Sequence, residues 1–167
     1  YYVERERAHP YHQVVHYNSW FDISWGNRKF NESESIDRIS MFGDSLIRAR
    51  NTHMTGFLFD DGWDDNSTLW KFHSGFPDGF TNLKRVAKSY GSDVGVWMSP
   101  FGGYGEPKKS RIDYGNRQNP PFETNKNGFS LSGPVYYNRF KEVTSDFVKK
   151  YDICMFKFDG VGAGIGA

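Results

Sequence analysis

The stretch that decides the fold is Ile153-Cys154-Met155-Phe156-Lys157-Phe158-Asp159-Gly160. It is short and apolar, and a continuous run of this kind is typical of a strand buried on both sides, as in parallel sheets. Side chains alternate between the faces of a strand, so Lys157 and Asp159 share one face. Burying two charges costs free energy unless they pair or do chemical work. We therefore expect Asp159 at the C-terminal mouth of a barrel strand, where barrel enzymes carry catalytic groups. A structural ion pair at a strand end is the alternative.

The opposite face of this strand carries Cys154, Phe156 and Phe158, and we expect it to pack under helices. Cys154 is the only cysteine, so an internal disulfide and a cysteine-based metal cage are excluded. Its position in a strand predicted to be buried indicates that it only fills space.

Strand-like and helix-like segments alternate upstream of this stretch. The strand candidates are residues 14–19, 55–60 and 94–98, and the helix candidates are residues 33–50, 80–90 and 137–150. The order β-α-β-α-β-α-β predicts a parallel sheet with right-handed crossovers. Four such strands form either a small doubly wound sheet or half of an eight-stranded barrel. Phosphate-loop and dinucleotide fingerprints are absent at the strand-to-helix turns, which argues against a nucleotide-binding domain.

We predict an α/β fold that represents the first four β/α units of a (β/α)8 TIM barrel. Residues 1–12 are interpreted as a linker from a preceding segment, and residues 13–167 as the N-terminal half of the barrel. A full barrel usually needs ~250 residues, and the glycine-rich residues 160–167 resemble a loop that leads onward. Half a barrel leaves a sheet edge open, so the fragment alone should be inactive and should be unstable or associate, for example as a homo-oligomer.

Residues 101–134 are long, polar and rich in glycine. A loop of this length without regular structure is unusual unless it is functional, so we interpret it as an insertion at the active site.

The overall composition excludes several classes of partner. The chain has 21 Lys and Arg residues against 20 Asp and Glu residues, so no net field attracts nucleic acid or an anionic membrane. No apolar run approaches the ~18 residues of a membrane helix. We expect no nucleic-acid partner, no membrane partner and no cofactor. The compartment is not fixed, although the first residue is Tyr1 rather than Met, and we favour a periplasmic or extracellular location over a cytoplasmic one.

Acidic residues end two of the predicted strands. Asp60 and Asp61 end the second and Asp159 ends the fourth, and in a barrel these ends converge on one mouth. Adjacent carboxylates accept hydrogen bonds from neighbouring hydroxyls of a sugar, and Trp63 offers an apolar face. A lone carboxylate can attack an anomeric carbon and form a covalent glycosyl-enzyme. Lys157 can keep Asp159 ionised or donate to a hydroxyl.

Less specific interpretations apply to the same residues. Asp-Gly pairs are common in turns, so residues 60–62 could be only a turn. Residues 64–67 are interpreted as a solvated loop rather than a metal site, because the calcium-loop spacing is absent, and no metal site is predicted. Among the other tryptophans, Trp97 is the one expected near a ligand, while Trp20, Trp25 and Trp70 are expected in the core.

Four segments together resemble the α-galactosidase clan of glycoside hydrolases, families 27 and 36. Asp60-Asp61-Gly62-Trp63 is similar to the DDGW segment of the clan, and Lys157-Phe158-Asp159 to its KxD nucleophile motif on strand four. Asn18-Ser19-Trp20 resembles the NSW at the end of strand one, and Val96-Trp97-Met98-Ser99-Pro100 resembles the strand-three region. The four segments occur in the same order as in the clan and span nearly the whole chain.

The resemblance implies a (β/α)8 barrel that hydrolyses terminal α-galactosides of an oligosaccharide or glycoconjugate with retention. Asp159 would be the nucleophile, and the substrate-binding residues would be Asp60, Asp61, Trp63, Trp97 and Lys157. The clan's general acid/base is an Asp on a later strand, and no residue here is assigned to it. Two alternatives stay open: an α-N-acetylgalactosaminidase-type hydrolase, and a carbohydrate-binding barrel without catalysis.

Overall fold

The structure is a computed structural model that describes residues 2–7 and 10–161. Residues 162–167, most of the predicted onward loop, lie outside the described residues. In chain order the elements are α1 (Tyr2–Glu6), β1 (His16–Asn18), a 3₁₀ turn (Ser19–Phe21), α2 (Glu32–Phe42), a π-helical continuation (Gly43–Arg48), β2 (Gly56–Phe59), α3 (Thr81–Ser89), β3 (Asp93–Met98), α4 (Gly105–Asn116), β4 (Thr124–Asn125), β5 (Gly128–Phe129), α5 (Pro134–Tyr151) and β6 (Met155–Phe158).

Four strands form one parallel sheet in the order β1-β2-β3-β6. Phe57 of β2 lies opposite Val94 of β3, and Val96 of β3 lies opposite Phe156 of β6. All four strands point the same way, so their C-terminal ends meet at one edge of the sheet. The predicted α/β class and the predicted parallel sheet are therefore confirmed.

The helices between the strands begin and end at recognisable signals. Asn31 caps α2: its Oδ1 accepts a hydrogen bond from the Glu34 N–H at 3.0 Å, and Glu34 Oε2 accepts one from the Asn31 N–H at 2.9 Å. This reciprocal pair satisfies two backbone donors that a helix start leaves free. Pro134 opens α5, where its missing N–H costs nothing, and Asp152 ends α5 in the left-handed conformation with φ 52°.

The core beside the sheet is aromatic. Phe72 is partly buried and packs against this core, with its ring centroid 4.9 Å from that of Phe80, 5.1 Å from Trp63 and 5.5 Å from Phe147. Rings at these separations pack edge to face or tilted and contribute beyond the area that they bury. This cluster joins the segment after β2 to α3 and α5, and so fixes the helical layer against the sheet.

The insertion at residues 101–134 differs from the predicted irregular loop. It contains the helix α4 and the antiparallel pair β4–β5. The helix has no apolar stripe, and its buried residues are Arg111 and Gly115. A helix that docks through an arginine gives no hydrophobic periodicity, which is why the sequence did not reveal it.

The strand β6 is less buried than predicted. Its residues are only partly covered and Phe158 is 43% exposed, because within the described residues β6 pairs with β3 alone. Cys154, just before the strand, is exposed rather than packed in a core. The expectation of burial on both faces is therefore wrong for the described part of the chain. Within that part, no helix is long and apolar enough to cross a membrane.

Gly43 allows α2 and its continuation to pack against Tyr90, and Gly43→Ala tests this contact. A Cβ at residue 43 would lie 2.5 Å from the Tyr90 ring. That ring is held by a hydrogen bond to Asp44 and by the Arg48 guanidinium 4.3 Å above it. We expect Gly43→Ala to lower the free energy of unfolding by about 1–3 kcal/mol, the scale of overpacking, in urea denaturation.

Gly26→Ala is the matched control, because nothing lies within 4 Å of a Cβ placed there. Equal stability of the two variants would show that Tyr90 moves aside freely and that the contact does not fix the helix.

Candidate active site

A cavity of about 260 Å³ opens at the C-terminal ends of the parallel strands. Residues that follow β1, β2, β3 and β6 all reach it, as the topology requires of strands that end at one edge. Its lining residues are Trp20, Arg28, Asp60, Asp61, Trp97, Tyr104, Lys157 and Asp159. The structure thus brings together five of the six residues selected from the sequence, which are Asp60, Asp61, Trp97, Lys157 and Asp159.

Asp60 lies at the bottom of the cavity and is 1% exposed. Its carboxylate accepts hydrogen bonds from Lys157 Nζ at 2.7 Å and from the Asp61 N–H at 2.9 Å. The Asp60 N–H donates to Ser19 Oγ at 2.8 Å. Lys157 forms its direct ion pair with Asp60, and its charge also helps to lower the pKa of Asp159, which it was expected to keep ionised.

Asp61 lies next to two guanidinium groups without close contact to either. Its carboxylate oxygens are 3.7 Å from Arg28 Nη1 and 3.8 Å from Arg111 Nη2. Burial raises the pKa of Asp61 to about 6, because the charged form loses water; Arg111 and Arg28 oppose this shift, while the neighbouring carboxylates of Asp64 and Asp60 add to it. Asp61 can therefore change its charge near neutral pH.

Asp159 is held by three donors. Trp97 Nε1 donates to Oδ2 at 3.0 Å, and the Tyr104 hydroxyl and the Gly160 N–H donate to Oδ1 at 2.9 and 2.8 Å. Burial alone would raise the pKa of Asp159, but these hydrogen bonds and the charge of Lys157 together hold it below its usual value. The carboxylate is therefore ionised at neutral pH, as a nucleophile must be.

Trp63 does not line the cavity, contrary to the sequence expectation. It is fully buried in the aromatic core, and its Nε1 donates to the backbone oxygen of Trp97 at 2.9 Å. Gly62, with φ 130°, turns the chain so that Trp63 enters the core beneath the site. A Cβ at residue 62 would lie 2.7 Å from the backbone of Arg28, so this turn requires glycine. Trp63 thus stabilises β3 from the core through its hydrogen bond to the Trp97 backbone.

A buried ion pair joins the insertion to the acidic segment after β2. Arg111 is fully buried, and its Nε and Nη2 donate to the two oxygens of Asp64 at 2.9 and 2.8 Å. Its Nη1 donates to the Gly102 oxygen at 2.9 Å, and its guanidinium lies 4.7 Å from the Trp70 ring centroid. Asp64 was expected in a solvated loop, and this interpretation is wrong because Asp64 is the buried partner of Arg111.

The sequence interpretation missed three lining residues, Trp20, Arg28 and Tyr104. Trp20 was assigned to the core, although its place in the Asn18-Ser19-Trp20 motif was the available signal. Arg28 stacks over the Trp20 ring at 5.2 Å, and nothing in the sequence indicated this contact. Tyr104 stands between Gly103 and Gly105, both with positive φ, so the glycine-rich start of the insertion marked a turn that presents this side chain.

No three His, Cys, Asp or Glu side chains among residues 2–7 and 10–161 are grouped so that they could hold a metal ion.

The fold of this chain is similar to parts of known glycoside hydrolases. The family 36 α-galactosidase AgaA from Geobacillus stearothermophilus aligns with a TM-score of 0.58 and 17% identity over 87% of this chain and 21% of AgaA. The α-galactosidase TtGalA from Thermus thermophilus aligns with a TM-score of 0.59 and 17% identity over 91% of this chain and 32% of TtGalA.

A cycloalternan-degrading enzyme from Trueperella pyogenes is more distant, with a TM-score of 0.54 and 14% identity over 92% of this chain and 25% of the enzyme. No family model and no curated protein matches the sequence. These neighbours are TIM-barrel glycoside hydrolases, and at these identities the likeness shows that the fold is similar. The chain spans between about a fifth and a third of the lengths of these three proteins.

Tyr104→Phe tests whether the tyrosine hydroxyl keeps Asp159 ionised. The variant retains the ring and removes one donor to the carboxylate, so we expect the pKa of Asp159 to rise. The pH midpoint of carbodiimide labelling, followed on the peptide that contains Asp159, measures this shift because only the protonated carboxyl reacts readily.

Tyr137→Phe, at an exposed tyrosine of α5, is the control and should leave the midpoint unchanged. An unchanged midpoint in Tyr104→Phe would mean that the hydrogen bond does not stabilise the charged form.

Proposed function

We propose that this chain is the N-terminal half of the (β/α)8 barrel of a retaining, α-galactosidase-like glycoside hydrolase that acts on terminal α-galactosides. In this proposal residues 13–167 form the first four β/α units and residues 1–12 a linker. The observation that carries the proposal is the position of the Asp159 carboxylate, which accepts three hydrogen bonds and lines the same cavity as Asp60 and Asp61.

Asp159 has the properties that a glycosyl-accepting nucleophile needs. In the first step a carboxylate oxygen attacks the anomeric carbon while the glycosidic oxygen leaves with a proton from a general acid, which is not assigned among these residues. Water then hydrolyses the resulting ester and releases the sugar with its configuration retained. The hydrogen bonds from Trp97 and Tyr104 stabilise the carboxylate that departs in this second step.

The rest of the cavity suits one sugar ring. Its volume is below the roughly 300 Å³ at which sites for drug-sized ligands begin. Asp60 and Asp61 offer acceptors for adjacent hydroxyls, whereas Lys157 and Arg28 offer donors. Trp97 lines the cavity near the end of β3, although it is almost completely buried, and its Nε1 donates to Asp159. In this proposal Asp60, Asp61, Trp97 and Lys157 bind the substrate, whereas Trp63 only supports Trp97.

The comparisons support this proposal at the level of fold. Structures of AgaA variants contain stachyose and raffinose, so the neighbours of this chain include proteins that hold oligosaccharides. We therefore infer that an oligosaccharide or glycoconjugate with a terminal α-galactose is the substrate of this protein.

Asp159→Asn in the full-length protein is the decisive variant. We expect it to lower kcat for 4-nitrophenyl α-galactoside by about 10³-fold or more, because the amide that replaces the Asp159 carboxylate cannot attack the anomeric carbon and form the ester. Binding of galactose should persist, since Asp60, Asp61 and Lys157 are unchanged. The measurements are steady-state release of nitrophenol and calorimetric titration with galactose.

Asp93→Asn is the matched control, because Asp93 begins β3 at the opposite edge of the sheet and pairs with Lys88 there. Its kcat should stay within about twofold of wild type. Near-wild-type turnover by Asp159→Asn would contradict the proposal. Galactose binding without hydrolysis by the unmodified protein would favour the non-catalytic carbohydrate-binding barrel, and turnover only of α-N-acetylgalactosaminides would favour the related hydrolase.

A further inference from the structure

Two large aromatic side chains beside the cavity are exposed to solvent in the part of the chain that the structure describes. Phe21 is 84% exposed and Trp25 is 62% exposed, and both lie in the segment that follows β1. Their rings are nearly parallel, with an interplanar angle of 22° and centroids 6.1 Å apart. We call this pair the aromatic platform.

The aromatic platform is continuous with the cavity. The ring centroid of Trp25 lies 5.4 Å from that of Trp20, with the planes at 83°. Trp20 itself lines the cavity, where Lys157 Nζ lies 5.8 Å from its ring centroid. A row of aromatic rings therefore leads from the carboxylate-lined cavity out to the surface.

The backbone beneath the aromatic platform is anchored. Ser24 is buried, and its hydroxyl lies 2.7 Å from that of Ser19. Asp22 accepts hydrogen bonds from the Tyr17 hydroxyl at 2.8 Å and from Arg38 Nε at 2.6 Å. These hydrogen bonds fix the backbone on both sides of Ile23, while the side chains of Phe21 and Trp25 stay exposed.

The exposure of two large aromatic side chains is unusual, because such side chains are normally buried in the core. The hydrophobic effect favours burial of aromatic rings, and an exposed apolar patch beside a cleft is typical of a binding site. Two rings are too few for a specific protein interface, which buries about 800 Å² on each partner. They do suit the apolar C–H face of a sugar ring, which can lie flat on an aromatic surface.

We propose that the aromatic platform binds the sugar rings beyond the one in the cavity, so that Phe21 and Trp25 determine how much affinity a longer sugar chain gains. This inference rests on the proposed function, because it takes the terminal sugar to occupy the cavity. The rings of the leaving group then extend past Trp20 and stack on Trp25 and Phe21.

The test uses the full-length protein with Asp159→Asn, which removes turnover. Affinities for galactose, for the trisaccharide raffinose and for the tetrasaccharide stachyose are measured by calorimetry. The same titrations are repeated with Phe21→Ala, with Trp25→Ala and with Tyr137→Ala. Tyr137 is the matched control, because it is an exposed aromatic residue of α5 that does not line the cavity. Size-exclusion chromatography records the oligomeric state of each variant.

We expect affinity to rise with chain length, and each platform variant to weaken stachyose binding by about tenfold, the scale of one lost stacking contact, with galactose binding changed by less than about twofold. Tyr137→Ala should match its parent. Two results would overturn the platform and leave the proposed function intact. One is galactose binding with no gain in affinity for raffinose or stachyose, and the other is an equal loss of affinity for galactose and stachyose in the platform variants.

Platform-dependent binding of stachyose without galactose binding would refute the cavity assignment and keep the aromatic platform. Variants that change the oligomeric state without changing sugar affinity would show that the patch is a protein interface, which overturns the inference.

Discussion

The site depends on the ion pair between Lys157 Nζ and Asp60 Oδ2, which are 2.7 Å apart. It joins the ends of β2 and β6, which are not neighbours because β3 lies between them. A carboxylate as buried as Asp60 would cost several kcal/mol without a partner, so Asp60 requires the charge of Lys157, whose own side chain is partly exposed. Asp60 also bonds through its N–H to Ser19 after β1. One residue thus connects three strand ends and fixes the edge at which the cavity opens.

A second buried ion pair, between Arg111 and Asp64, attaches the insertion at residues 101–134 to the site. It holds the middle of α4 against the segment after β2, and the Gly102 oxygen accepts a hydrogen bond from the same guanidinium. The turn at residues 102–105 is thereby fixed, and it delivers the Tyr104 hydroxyl to Asp159. The insertion therefore completes the hydrogen bonding of the carboxylate that we propose as nucleophile, whereas the sheet alone supplies only Trp97 and Gly160.

Features set by the sheet topology could be predicted from the sequence, whereas features set by local turns or by distant pairs could not. Parallel strands end at one edge, so the acids at residues 60, 61 and 159 were expected to meet, and the structure places all three at one cavity. The direction of Trp63 depends on the turn at Gly62, which sequence pattern does not specify. The burial of Arg111 depends on Asp64, 47 residues earlier in the chain. The helix α4 has no apolar stripe, so its sequence does not indicate a helix that packs against the core.

The central claim is that Asp159 forms the covalent bond to the sugar. The most direct measurement treats the full-length protein with a fluorinated α-galactosyl reagent that traps glycosyl-enzymes, followed by mass spectrometry of the peptides. We expect one added galactosyl group on the peptide that contains Asp159, and protection by free galactose. A label on another carboxylate would refute the assignment of Asp159 as nucleophile. The assignment would also be refuted if no carboxylate were labelled although the reagent binds in the cavity and is displaced by galactose.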